Sequence, residues 1–512
     1  MKLVETPQSH LPFKLRLFFI VVLILGIVLR FYNIDGQVYW HDEALTSSRV
    51  SGYLKQEIQD EIFTGEIIHV RDLLSYQRPR EGKRLWDTVR VLAIDASEHP
   101  PLYYVLLRLW CNVFGFSITA IRSFSALISL LIFPCLYWLC WELFRSPLTG
   151  WMAMAIASVS PYFVIYAREA RQYSLWTALI LLSNILLFRA IHRTKAGENL
   201  RGNLVNWGGY AIASALGFYT FLFSGMVAIG QGIYLVLIEK FRSTRSLYFY
   251  LLSSLVSVLL FSPWILVILS HLSQPSVSWT AVPLPFAIWL RLLAMHFSRA
   301  FIFIDRILGF NTFVNYITLP FIFLLAFYSF YFLYRHTPAK VWLFVVTLTL
   351  TLPLFLILPD LILGGQRATS SRYLVPLYLG IQIAIAYLLS VQILHPSFWK
   401  KLFWQSVTLL IITSGLISGF IYVNSDTSWN KILSFNNPQI VEAIANSENP
   451  LLITTAFGFN GGNTLALSHT LDPDLNLLFI KNSRVQADWK NPPNIPEIFN
   501  DIYFLNISDR LR

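Results

Sequence analysis

Two carboxylates stand side by side at Asp42 and Glu43, directly after His41 and a few residues past a long apolar run, Leu15 to Tyr32. At about 1.5 Å of rise per helical residue that run is long enough to cross about 30 Å of hydrocarbon, so the acidic pair sits at a membrane face. Three further polar clusters punctuate the chain: His99-Pro100-Pro101, Arg168-Glu169-Ala170-Arg171-Gln172-Tyr173, and the stretch from Gln366 through Arg367 and Arg372 to Tyr373. Each alone reads as the charged flank of a helix. Together they are the inventory for activating a hydroxyl or amine acceptor with a general base while planar arginines hold a phosphate through paired donors. Charged groups at membrane level mark a pathway or a reaction site.

The elements that must bring these clusters together follow from composition. Hydrophobic residues make up 55% of the 512 and charged ones 13%, which excludes the ordinary soluble class, where about a quarter are charged. The chain is a polytopic membrane protein. Its net charge of +11 is carried by short basic patches between apolar runs, which set topology and meet anionic headgroups, so no nucleic acid partner is expected. Cys111, Cys135 and Cys140, an odd set with two members inside an apolar run, argue against a disulfide framework or a zinc site. No cleavable signal is evident, and Leu15 to Tyr32 reads as the first span.

Lys2, Lys14 and Arg16 before that span place the N-terminus in the cytoplasm and Asp42-Glu43 outside. Residues 35–118 then form a long first outer loop, with a helix expected over Asp42 to Ile58, an exposed loop over Arg71 to Arg90, and a helix started by Pro100-Pro101. If that last helix lies along the interface, the spans fall at about 119–144, 149–167, 173–190, 204–219, 221–238, 247–270, 312–334, 341–358, 373–392 and 403–423. The patches at Arg189 to Lys195, Glu239 to Arg242, Arg335 to Lys340 and Lys400-Lys401 then all lie inside. If it crosses, every one of them moves outside. The charge rule therefore favours an amphipathic interfacial helix and about 11 transmembrane helices, and all four polar clusters then share the outer side.

Two domains are expected: 1–423, a transmembrane catalytic bundle, and 424–512, a small extracytoplasmic α/β domain in which Leu451 to Thr455, Leu475 to Ile480 and Ile502 to Leu505 are strands and Pro438 to Ala445 is a helix. The stretch Gly458 to Asn463 matches neither the P-loop nor the dinucleotide fingerprint and reads as a strand-to-helix turn.

At these residues the chain resembles the GT-C superfamily of polytopic glycosyltransferases, in the branch of protein O-mannosyltransferases and the lipid A aminoarabinose transferase. The resemblance rests on Asp42-Glu43 after the first span, the His99-Pro100-Pro101-Leu102 helix start, Arg122 to Ser125, and Tyr166 to Ser174. It is carried by motifs from about residue 15 to 190 and by topology alone beyond. It implies an all-α polytopic bundle with interfacial helices in the first outer loop, in the plasma membrane, and transfer of a sugar from a polyprenyl-phosphate donor to an extracytoplasmic acceptor. By position it implies Asp42 as general base, Glu43 as its support and Glu169 as a further acid, although the offset of Glu169 in its turn differs from that of some members. Arg168, Arg171, His99, Arg367, Arg372 and Tyr373 are the candidates for binding the donor. Some relatives hold a divalent metal and others need none; His41, His99, His271 and His296 are conceivable ligands, and the metal is left unassigned. The competing reading from another class is a transporter or flippase for a lipid-linked sugar.

Overall fold

The computed structural model describes residues 12–271, 278–303, 313–455, 459–480, 495–496 and 498–505. The chain begins with α1 (Phe13–Phe31), followed in the first loop by α2 (His41–Ser51), α3 (Lys55–Ile62), β1 (Ile67–His69), α4 (Val70–Ser75), α5 (Leu85–Asp95) and α6 (Leu102–Phe114). The bundle continues with α7 (Ile118–Ser129), α8 (Ile132–Phe144), α9 (Pro147–Val159), α10 (Pro161–Ala167), α11 (Tyr173–Lys195), α12 (Leu200–Thr220), α13 (Ser224–Ile238) and α14 (Arg245–Ser270). Then come α15 (Phe286–Ser298), α16 (Phe313–His336), α17 (Ala339–Leu363), α18 (Val375–Gln392) and α19 (Phe398–Val423). The last part holds α20 (Asn437–Ala445), β2 (Pro450–Thr455), α21 (Asn460–Leu467), β3 (Asn476–Ile480) and β4 (Asp501–Leu505).

Each of the eleven apolar segments foreseen from sequence is helical. Among the described residues, seven helical stretches are long and apolar enough to cross a membrane, α7 and α8 running as one of them, and α9 with α10 makes an eighth as a bent pair. The other three are less typical spans: α1 carries Lys14, Arg16 and Arg30, α12 is rich in glycine and asparagine, and α13 has 15 residues. Helix α6 has 13 residues, about 20 Å, too short to cross. Its Arg108 is buried and donates to the Val50 and Lys83 carbonyls at 2.7 and 2.9 Å, tying α6 to the first loop.

The segment expected as one span over 149–167 is broken: α9 and α10 meet at 62°. Pro161 lacks the N–H that would bond the Ala157 carbonyl, so the helix parts there. Arg30 of α1, fully buried, repairs the loss, donating to the Ala157 and Ser158 carbonyls at 3.4 and 2.6 Å and to its own Gly26 carbonyl at 2.7 Å. Arg168, just after α10, does the reverse for the end of α1, donating to the carbonyls of Leu29, Tyr32 and Asn33 at 3.0, 2.6 and 2.6 Å. The kink thus aims the 168–172 turn at the end of α1 where the first loop begins.

That first loop is more ordered than the sequence suggested. Gly52, in the left-handed conformation at φ 88°, ends α2 and divides the expected single helix into α2 and α3. The stretch read as an exposed loop over 71–90 contains most of α4 and the start of α5. Strand β1 joins the C-terminal strands in a four-stranded sheet of order β1-β3-β2-β4, antiparallel to β3, while β2 runs parallel to both β3 and β4. The parallel β2-α21-β3 unit needs a crossover helix, and α21 supplies it. The sheet is therefore built jointly by the first loop and the segment beyond 424.

Candidate active site

Helix α2 starts at the end of the bundle where α1, α10 and α19 finish and where α11 and α18 begin. Gln37 Nε2 donates to the Tyr422 carbonyl at 2.7 Å and Asn33 Nδ2 to the Val423 carbonyl at 3.0 Å, fixing the approach to α2 against the end of α19. The N-terminus of α2 is a favourable place for carboxylates, which meet the positive end of the helix dipole. Asp42 and Glu43 nonetheless have different surroundings, because successive helical positions point about 100° apart.

Asp42 keeps 17% side-chain exposure and lines a cavity of about 350 Å³. Its Oδ2 accepts from Arg372 Nη1 at 2.7 Å and lies 3.8 Å from Arg171 Nη2. Burial would raise its pKa, but Arg171 and Arg372 outweigh burial and hold it down at about 2. Glu43 has no exposure and does not line the cavity. Arg122 grips it with two donors, at 2.8 and 2.7 Å, Lys431 Nζ lies 3.3 Å away, and the Ala170 N–H donates at 3.0 Å. Burial again opposes ionisation, and Arg122 and Lys431 reverse it, leaving Glu43 at about 2. Arg122 also donates to the carbonyls of Ile34, Gln37 and Val38, so the Glu43 pair is the brace of the loop that carries Asp42.

Glu169 does line the cavity, fully buried. Its Oε1 accepts from Asn430 Nδ2, and its Oε2 has no protein partner. Burial pushes its pKa up, with Lys431 opposing and Glu43 assisting. Of the six residues foreseen as donor-binding, Arg372 lines the cavity and Arg171 backs Asp42 while bonding Thr46 Oγ1 and Tyr104 OH at 3.2 and 3.4 Å. The remaining four stand elsewhere. Arg168 is spent on α1, Arg367 pairs with Asp360 at 3.0 Å, His99 is half-buried near Tyr104, and Tyr373 packs between Arg372 and Phe223.

Sequence reasoning missed the part of the wall that follows α19. The turn Trp429–Ser434 contributes Trp429, Asn430, Ile432 and Leu433 to the cavity. The only signal was a polar, Asn-containing stretch directly after the last span. Trp279 and Tyr166 were missed as well; Trp279 sits beneath the Arg372 guanidinium, 5.7 Å from ring centroid to carbon, and Tyr166 OH bonds Ser371 Oγ at 2.8 Å. The C-terminal part also props α2 from outside: the His41 N–H donates to Ser434 Oγ at 3.0 Å, and Ser434 Oγ bonds Asn463 Oδ1 at 2.7 Å. A side chain at Gly462 would start 2.4 Å from the His41 ring, so glycine is what lets α21 approach.

Among the described residues no three His, Cys, Asp or Glu side chains form a metal-holding group. Asp42 is already answered by two guanidinium groups, and no step below uses a metal ion.

Residues 98–267, about a third of the chain, match the family described as dolichyl-phosphate-mannose-protein mannosyltransferase. No curated protein matches the sequence. Among solved structures, ArnT from Cupriavidus metallidurans bound to undecaprenyl phosphate is similar over 92% of this chain and 86% of its own, at 11% identity and a TM-score of 0.51. Archaeal oligosaccharyltransferase AglB from Archaeoglobus fulgidus, in complex with an inhibitory peptide and a dolichol-phosphate, is similar over 90% of this chain, at 12% identity and a TM-score of 0.54. This chain spans 64% of the length of that oligosaccharyltransferase. The fold is that of the GT-C membrane glycosyltransferases. The GT-C resemblance read from the motifs is borne out, and the family match includes the His99, Arg122 and Tyr166–Ser174 motifs while beginning beyond Asp42-Glu43. Roles for the two carboxylates therefore rest on geometry.

Proposed function

We propose that the protein transfers a sugar from a polyprenyl-phosphate-linked donor to an acceptor hydroxyl or amine on the extracytoplasmic side of the plasma membrane, by a single displacement with inversion and with Asp42 as general base. The observation that carries this is the placement of an ionised, partly exposed Asp42 on a cavity wall with Arg372 on its carboxylate and Arg171 behind. The same pair of arginines suits a phosphate, where negative charge grows as the donor bond breaks. A donor phosphate that takes up Arg372 also withdraws the cation that suppresses Asp42, and the carboxylate becomes a stronger base when the substrate is in place. In the step itself, the acceptor oxygen or nitrogen forms its bond to the anomeric carbon and its proton passes to Asp42. The bond from that carbon to the phosphate oxygen breaks, and the electron pair leaves with polyprenyl phosphate.

Sidedness is supported by charge. Lys195, Glu239 and Lys340 gather at the other end of the bundle, Lys195 pairing with Glu239 at 2.7 Å and Tyr234 OH bonding the Lys340 carbonyl at 3.0 Å. Helix α11, with 23 residues, separates that end from the site by about 35 Å. A basic end is the cytoplasmic end, which leaves the cavity outside.

The test is turnover of a radiolabelled polyprenyl-phosphate sugar by purified protein. Asp42→Asn should lower the rate by about 10²–10⁴-fold while the protein remains folded and inserted. Wild-type turnover by that variant removes Asp42 from the role, and vectorial movement of the lipid in liposomes without bond cleavage replaces the transferase with a flippase.

A further inference from the structure

The turn that follows α19 meets the 168–172 turn in two successive rungs. In one rung Asn430 Nδ2 donates to Glu169 Oε1; in the next, Lys431 Nζ and the Ala170 N–H both donate to Glu43, at 3.3 and 3.0 Å. Lys431 is fully buried and also donates to the Val38 carbonyl at 2.8 Å. Removing a lysine and two glutamates from water is costly unless each is bonded. Glu43 is fully bonded, but Glu169 is not: its Oε2 stands without a protein partner on a residue that lines the cavity. The indole nitrogens of Trp40 and Trp429, on two more lining residues, are unpartnered as well.

Four buried polar atoms left open around one cavity, these three and His41 Nδ1, mark a place where a ligand completes the bonding. Their chemistry is one carboxyl oxygen, two neutral indole donors and an imidazole nitrogen that donates or accepts according to its tautomer. That set matches the hydroxyl groups of a sugar ring, each of which both donates and accepts, and differs from the guanidinium groups beside Asp42. The cavity thus has one part with Asp42 and Arg372 and another around Glu169, Trp40 and Trp429, where no guanidinium group lies on the acid and the Arg299 guanidinium lies over the Trp429 ring, 3.8 Å from its centroid.

We propose that Asn430 and Lys431 are positioning residues that present Glu169 to the hydroxyl groups of an uncharged sugar ring, so that the segment after the last span takes part in recognising the transferred group. This rests on the transferase reading and names its substrate class. The rise that burial imposes on the Glu169 carboxyl agrees with it, since a carboxyl group held toward its neutral form bonds neutral hydroxyls without admitting a bare charge. Lys431 underneath disfavours a cationic ring.

The experiment measures equilibrium binding to the full-length protein in nanodiscs, using polyprenyl phosphate alone and polyprenyl phosphate carrying mannose, glucose or galactose. Wild type should bind at least one of the three hexosyl lipids about tenfold or more tightly than the bare lipid phosphate. Glu169→Leu and Lys431→Met should lose most of that preference, while their affinity for bare polyprenyl phosphate stays within about twofold. Lys431→Met leaves Glu43 gripped by Arg122, and Asn430→Ala provides the same comparison if Glu169→Leu fails to fold. A wild type without preference for any hexosyl lipid overturns the proposal. So do variants that weaken both lipid classes equally, which is a packing defect, or that weaken neither. None of these readouts needs turnover. Failure of the transferase reading shows up separately, as wild-type protein that binds a hexosyl lipid and never releases polyprenyl phosphate from it.

Discussion

At the residue scale, the chain separates two adjacent carboxylates into one that faces the cavity and one that braces it. Their adjacency was visible in the sequence, but the division was not, because the residues that decide it lie far along the chain: Arg122 is 79 positions from Glu43 and Lys431 is 388. Arg122→Leu, which strands a buried carboxylate, should destabilise the protein by about 3–5 kcal/mol, read as a fall in unfolding temperature in detergent. The acid response has a definite sign. Asp42 and Glu43 have folded pKa values of about 2, below their ordinary values of 3.8 and 4.5. Between those limits the unfolded chain binds more protons, so their stabilisation is complete above about pH 4.5 and is lost as pH falls toward 2. Glu169 is shifted the other way, and infrared spectra should show a protonated carboxyl band, absent in Glu169→Gln, at pH values where Asp42 and Glu43 are ionised. The arginines were harder to sort from sequence. Arg168 and Arg171 share one turn, yet Arg168 caps α1 and Arg171 supports Asp42.

At the element scale, hydropathy located the eleven long segments because each is largely apolar, and all three C-terminal strands were placed, but it missed α15, which is only 13 residues long. It did not expose the break between α9 and α10, although Ser160-Pro161 carried the signal, since averaging over a window smooths across one proline. The break depends on Arg30, whose guanidinium replaces the missing helical donor. Arg30→Leu should therefore destabilise the bundle and lower turnover together, because the 168–172 turn loses its aim. Gly462 gives a sharper test of how α21 holds α2. Gly462→Ala places a methyl group where the His41 ring sits and should cost about 1–3 kcal/mol, with a fall in turnover as the start of α2 shifts beside Asp42.

At the scale of the whole molecule, the reading requires one end of the bundle to face outward. Cysteine labelling in intact cells checks this with little background, since Cys111 and Cys140 are buried and Cys135 is partly so. Glu81→Cys in the first loop should react with a membrane-impermeant maleimide from outside, and Arg242→Cys, between α13 and α14, only after permeabilisation. The reverse pattern would put the cavity in the cytoplasm. Strand β1 also sets an order of events during synthesis. Ile67, Ile68 and His69 have no sheet to join until residues 476–478 arrive, some four hundred codons later. The ribosome must therefore have delivered the chain as far as residue 478, with all the spans between, before the first loop can complete its sheet. A half-made chain carries Asp42 past the first span early but still lacks the 429–434 turn that completes the wall around it and the strands that close the sheet.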